Sequence, residues 1–227
     1  MFFRSAALLA SLVTASLAAD PAVPSLNVPA CPKKGTVVYE TSVPDRTSFP
    51  KTQVDLCYDK SAIHLTFTAY NETNFFYNAS AMTNDAIYNF EVMEAFIYHG
   101  KQDPQHYLEI EIAPNNVTYN AFVYNPSKVR AAGAEFGHEF ITDIYGYGMQ
   151  TTTKLDHAKK LWTSNFRVPL GIFNIDNGAA CGTDWRMNFF RTIVSPATYP
   201  NQTLGGWSPP NLASFHITPY FGHVKFI

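Results

Sequence analysis

Long apolar runs are missing from most of this 227-residue chain: beyond the first twenty residues, polar or charged side chains interrupt every apolar stretch. That excludes a membrane-spanning helix there, which needs roughly 20 consecutive apolar residues. A basic stripe is also missing. Lys and Arg number 16 against 18 Asp and Glu, for a formal net charge of −2. Proteins that neutralise phosphate backbones concentrate positive charge, so nucleic acid is excluded as a partner class. No segment keeps a helical apolar period over eleven residues. There is no Gly-x-Ser-x-Gly elbow, no Gly-rich phosphate loop and no cysteine in a catalytic setting. Cysteine itself is scarce: Cys31, Cys57 and Cys181. An oxidising compartment then favours one disulfide. Cys31 with Cys57 is the preferred pair, since it ties the N-terminal segment to the first clear strand. Cys181 is left over and expected to be buried, and the other pairings stay open.

The N-terminus reads as an export signal. Arg4 supplies the basic region, residues 6–17 are short and apolar, and Ser16 and Ala18 suit the small positions before a cleavage site. Cleavage after Ala18 or Ala19 leaves a chain starting near Asp20, with no membrane association expected afterwards. The expected organisation is a signal peptide (1–19), an extended lead-in (20–35) and one domain (36–227). Four Asn-x-Ser/Thr sequons, at Asn71, Asn78, Asn116 and Asn201, mark surfaces expected to carry glycans.

Period-two patterning dominates the domain. Residues 62–70 alternate Ile63, Leu65 and Phe67 against His64, Thr66 and Thr68. Residues 91–99 are apolar on both faces apart from Glu91 and Glu94, as in a central strand. Residues 105–113 and 117–124 form a hairpin about the Pro114-Asn115-Asn116 turn. Residues 150–155 and 161–168 come next, then a short helical turn at 169–174. The strand at 185–194 sets Trp185, Met187, Phe189 and Arg191 on one face, and residues 221–227 close the domain. Residues 196–210 read as a long Pro/Gly loop. This succession predicts an all-β fold, a two-sheet antiparallel sandwich. Aromatic residues make up 15% of the chain, which suits strands and also supplies rings for stacking on ligands.

Chemistry concentrates in an acidic group: Glu91, Glu94, Glu109 and Glu111. Two of these carboxylates could flank a glycosidic bond, or the group could collect Ca²⁺. Glu109 and Glu111 share a strand face, and a solvated face is the competing reading for them. Glu94 lies inside an apolar strand, where an unpaired charge is costly, so it is the better site residue. The seven histidines show no compact metal spacing and read as structural. A heme would need an axial Met, Met93 or Met149, beside a His. Trp162 and Trp185 read as core, whereas Trp207 sits in a Gly/Pro loop with Tyr88 as a second loop-borne ring. A pyranose stacks on such rings while carboxylates and Arg bond its hydroxyls.

The residues that carry these features also carry a resemblance. Asn84-Asp85-Ala86-Ile87-Tyr88, Glu91-Val92-Met93-Glu94-Ala95-Phe96-Ile97, Tyr107-Leu108-Glu109-Ile110-Glu111-Ile112, Trp185-Arg186-Met187-Asn188-Phe189-Phe190-Arg191, Gly206-Trp207-Ser208-Pro209 and Phe215-His216-x-x-Pro219-x-Phe221-Gly222 keep the order and spacing of the family 9 carbohydrate-binding modules. The chain resembles their fungal secreted single-domain relatives from about Val37 onward. The resemblance implies a sandwich that grips a sugar between two rings, here Tyr88 and Trp207, with Glu94 and Arg191 fixing hydroxyls. Tyr88 stands six residues before Glu94, where the family pattern has Trp. The resemblance also implies a polysaccharide or oligosaccharide ligand of the xylan or cellulose type, no required cofactor, Ca²⁺ as an optional ion, and secreted glycoside hydrolases as companions. A glycoside hydrolase and a heme-binding electron-transfer sandwich are the alternatives.

Overall fold

Alternation of β-branched and aromatic residues with polar ones makes strands of nearly every segment between the Pro and Gly turns. The computed structural model describes residues 21–175 and 177–227. The expected signal peptide at 1–19 lies outside the described residues. Thirteen strands run in chain order: β1 Ser25–Val28, β2 Gly35–Val43, β3 Ser48–Tyr58, β4 Ala62–Ala69, β5 Val92–His99, β6 His106–Ile112, β7 Thr118–Tyr124, β8 Gly137–Phe140, β9 Gln150–Asp156, β10 Leu161–Pro169, β11 Asp184–Ile193, β12 Thr203–Gly206 and β13 Gly222–Phe226. A short 3-10 turn spans Leu170–Phe173, at the expected place.

Eleven of the strands form one curled sheet in the order β8-β7-β6-β5-β11-β12-β2-β3-β4-β10-β9, and β13 joins it on β11, with β1 beside β13. β2 makes the curl. Its first part pairs with β3 and its last residues, Ser42 and Val43, pair with β12. A register shift between Tyr39 and Thr41 lets it leave one layer for the other, as strands do at the corners of sandwiches. Between the layers lies the main core, which includes Met93, Ala95, Ile97, Leu108, Ile110, Met187 and Phe189 from one side and Val54, Leu56, Leu65, Phe67, Trp162 and Phe166 from the other. Trp162 and Trp185 are buried as expected.

Three segments depart from the sequence reading. The lead-in contains β1, which pairs in parallel with β13. The expected loop at 196–210 contains β12, whose Gly205 and Gly206 lie flat against Phe49 and Phe190. Any side chain there would collide with those rings, so two glycines that look like loop residues belong to a strand. The stretch 35–58, to which the alternation pattern assigns no strand, holds β2 and β3, the longest hairpin of the domain. Cys31 is bonded to Cys57, which fastens the segment before β2 to β3. Cys181 is exposed rather than buried, because it falls in the turn that leads into β11.

Candidate functional site

Side-chain alternation assigns each residue of the β5–β6 ladder to the core or to the opposite, outer face. Glu94 faces outward between core residues Met93 and Ala95, and its cross-strand partner is Glu111. Glu109 lies on the same face of β6, two residues away. Three carboxyls therefore converge on one patch, and one oxygen of each lies within 4.8 Å of the others. The patch is not solvated: Glu109 is 4% exposed and Glu111 1%, which overturns the solvated-face reading for both. Two loops cover it, at 125–136 and 207–220. Buried Asn125 fastens them together. Its Nδ2 donates to the His216 carbonyl at 2.8 Å, and its Oδ1 accepts from the Arg130 backbone N–H at 3.2 Å. Below the second loop Phe215 stacks on Phe190 at 4.0 Å and His216 on Phe96 at 5.1 Å.

What remains between loops and sheet is a cavity of about 410 Å³, within the usual size range of small-molecule sites. Glu94, Glu109 and Glu111 form its floor; Tyr88, Tyr119, Arg130, Phe136, His138 and His216 form much of its wall. Tyr88 is 47% exposed at the lip, edge-on to Tyr119 at 5.9 Å. Its backbone carbonyl accepts a hydrogen bond from Gln202 Nε2.

Burial sets the electrostatics. Loss of solvent raises the Glu94 and Glu111 carboxyls well above the usual range, and the neighbouring carboxyls push them further. Burial carries Glu109 up to about 8 against the pull of Arg130. Glu109 Oε2 and Glu111 Oε2 are buried with no hydrogen-bond partner. His138 Nε2 lies 3.7 Å and His216 Nε2 3.9 Å from Glu109, beyond hydrogen-bonding reach. Burial and Arg130 lower both histidines, His216 to about 3. Burial thus opposes positive charge on both rings.

Of the four residues expected to bind sugar, the structure brings together Tyr88 and Glu94 only. Arg191 shares its face of β11 with Met187 and Phe189, so it points into the core, away from Glu94. There Nη2 meets Glu72 at 2.7 Å and Nη1 donates to the Tyr70 carbonyl at 3.2 Å. Trp207 also turns inward. Its backbone N–H donates to Phe189, its ring lies 5.6 Å from the Phe189 ring, and Gly222 leaves room for it. It anchors the loop against the main core and does not face Tyr88. Met93 and Met149, named for a heme, are buried in the main core, whereas His138 and His216 line the outer cavity. Sequence reasoning missed Tyr119, Arg130, Phe136, His138 and His216. Tyr119 shows a signal in the sequence as the residue opposite Glu111 in the β6–β7 hairpin, and His216 lies in a stretch that carries the resemblance, though without a site role there. Asn71, Asn78 and Asn201 are exposed, and Asn116 is half-buried.

The fold is a β-sandwich like that of carbohydrate-binding modules. It is similar to a Bacteroides uniformis protein described as carbohydrate-binding, at TM-score 0.68 and 14% identity, over 91% of this chain and 100% of that one. Similar too is a family 9 carbohydrate-binding module of Caldicellulosiruptor kristjanssonii. Its cellotriose complex matches at TM-score 0.57 and 13% identity, over 89% of this chain and 93% of that one. Its glucose complex matches at TM-score 0.56 and 16% identity, over 89% and 95%. At such identities the likeness establishes the fold. No family model matches the sequence. The chain is 45% identical over 227 residues, 100% of both chains, to the Arthroderma benhamiae protein named "Extracellular protein", and it belongs to the family of that protein. Among the described residues no helix is long and apolar enough to cross a membrane.

Proposed function

We propose that this chain is an exported carbohydrate-binding domain, related to the family 9 modules, that takes a sugar unit of a cell-wall polysaccharide into the cavity over Glu94. One observation carries the reading: an exposed ring, Tyr88, stands at the lip of a cavity floored by buried carboxyls. A pyranose needs both, an apolar face to stack on and acceptors for its hydroxyls. Glu94 accepts hydrogen bonds from sugar hydroxyls, and Arg130 and Gln202 offer donors at the wall. Arg191 and Trp207 support the site by holding β11 and the loop beyond β12 in place. The signal-like N-terminus and the four sequons agree with export, where such ligands are met. A glycan at Asn201 would stand next to Gln202 at the cavity wall.

The hydrolase alternative needs two carboxyls whose environments drive their proton affinities apart, one to give a proton and one to stay ionised. Here burial drives all three upward together, which favours binding over cleavage. The test is a calorimetric titration of the secreted chain with cello- and xylo-oligosaccharides. Saturable heat that Tyr88→Ala removes is the expected result. Absence of heat with both series, or a Tyr88→Ala variant that binds as well as the parent, rules the reading out.

A further inference from the structure

We propose that Glu94, Glu109 and Glu111 hold one divalent cation of the hard, oxygen-preferring class, Ca²⁺ or Mn²⁺, on the floor of the cavity. Geometry permits it. One oxygen from each carboxyl lies within 4.8 Å of the others, and opposite ligands of an ion with bonds of about 2.4 Å stand about 4.8 Å apart. All three donors come from adjacent strands of one rigid ladder, so little order is lost on binding.

A second observation is independent of the clustering. Glu109 Oε2 and Glu111 Oε2 are buried inside the site and accept no hydrogen bond. Buried acceptors nearly always find a donor, and an orphaned carboxylate oxygen is more costly than most. Elsewhere in this domain a buried acid receives that care. Glu72 meets Arg191 at 2.7 Å and accepts two backbone N–H groups, at 2.7 and 3.0 Å. Around the three acids, by contrast, the close basic groups are His138 and His216, whose rings stop 3.7 and 3.9 Å from Glu109, beyond hydrogen-bonding reach. Arg130 acts on Glu109 from a distance and stacks on Phe136 at 4.4 Å. The negative charge must be cancelled by protons or by a cation that enters from the cavity. Carboxylate donors suit Ca²⁺ and Mn²⁺. Open coordination positions then face the cavity, where water or sugar hydroxyls complete the shell. The cation does not require the sugar reading, because it is held by protein groups alone.

The experiment is a titration of the chelator-treated secreted chain with CaCl₂ and with MnCl₂ at pH 8 and pH 5.5. One ion per chain is expected at pH 8, with a dissociation constant in the micromolar to millimolar range. Binding weakens about ten-fold or more at pH 5.5, because the ion competes with the protons on the three carboxyls. Glu111→Gln abolishes it, and Glu40→Gln, at an exposed position, leaves it unchanged. Thermal unfolding of ion-free Glu111→Gln at or above the parent temperature shows that its loss of binding is not misfolding. No saturable heat with either ion at pH 8, or equal binding by Glu111→Gln, overturns the proposal. So does Zn²⁺ binding more tightly than both and weakening in His138→Ala, which would mark an imidazole site. Sugar titrations in chelator report separately: sugar heat without ion heat defeats the cation alone, and the reverse defeats the sugar reading alone.

Discussion

Two clusters of buried acid lie on opposite faces of one sheet. On the core side Glu72 and Glu91 gather around Arg191; on the outer side Glu94, Glu109 and Glu111 gather around a cavity. The first cluster is closed around its acids, although Arg191 Nε has no acceptor. Glu72 meets the guanidinium and two backbone N–H groups, and Glu91 accepts from Phe76 N–H at 2.8 Å and Asn74 Nδ2 at 3.2 Å. The second is open: two oxygens are orphaned, and the nearest basic groups, His138 and His216, stop 3.7 and 3.9 Å from Glu109. A charge cluster that serves the fold brings its own partners. One that is left incomplete beside a cavity has its partner still to come from solvent.

The sharpest way to break this contrast is to remove the core cation. Arg191→Met leaves Glu72 buried and unpaired, at a cost of about 3–5 kcal/mol. Denaturant unfolding reads it as a lower midpoint with an unchanged slope. Oligosaccharide affinity of the fraction still folded should be unchanged, because Arg191 does not reach the cavity. A selective loss of sugar binding at full stability would restore Arg191 to the site and erase the distinction between the clusters.

The open cluster predicts a pH dependence of the opposite kind from an ordinary salt bridge. Burial raises Glu109 from its usual 4.5 to about 8 and moves Glu94 and Glu111 the same way. The folded state therefore holds protons that the unfolded chain releases. Its stabilisation is complete below about pH 4.5 and is lost as pH rises toward 8. Ion-free protein should lose on the order of a few kcal/mol across that window. Glu111→Gln should flatten the slope and raise stability at pH 8, since a neutral amide replaces a carboxyl that cannot be solvated. Added Ca²⁺ should offset the loss at pH 8 and do little at pH 5.5.

The contrast between the two faces also explains what could be seen in the sequence. The fold class was legible because alternation in segments such as 62–70 and 105–113 survives tertiary context. β12 was not, since Gly205 and Gly206 look like loop until Phe49 and Phe190 are laid over them. Glu94 was legible as a lone charge in an apolar strand. Arg191 was misassigned although its parity with Trp185, Met187 and Phe189 was already visible; those residues face the core, and so does it. Trp207 was misassigned for a different reason. A ring in a Gly/Pro loop looks exposed, and only the packing against Phe189 and Gly222 shows otherwise. His138 and His216 come from segments distant in sequence, and nothing local places them against Glu109.

A smaller effect sharpens the comparison at the lip of the cavity. Tyr88 is half exposed and packs edge-on to Tyr119 alone among the described rings. Tyr88→Ala should leave thermal stability nearly unchanged while weakening oligosaccharide binding by about 1 kcal/mol, the worth of one stacked ring. Trp207→Ala should do the reverse, lowering the unfolding midpoint because its ring fills the space over Gly222. If both variants lose affinity and neither loses stability, the two rings act as a pair and the inward packing of Trp207 does not describe the protein in solution.

The smallest effect expected is at Glu91, and it tests the closed cluster from inside. Burial and the nearby Glu72 carboxylate raise Glu91 to about 7. Below that pH Glu91→Gln exchanges one neutral acceptor for another. The new Oε1 can still accept from Phe76 N–H, and Asn74 can turn its amide oxygen toward the new Nε2. Above pH 7 the substitution also removes repulsion from Glu72. Stability should therefore change by about 0.5 kcal/mol or less at pH 5.5 and shift toward the variant by pH 8, as measured by paired unfolding curves. A loss larger than Arg191→Met produces would mean that Glu91, and not the Glu72–Arg191 pair, closes the core cluster.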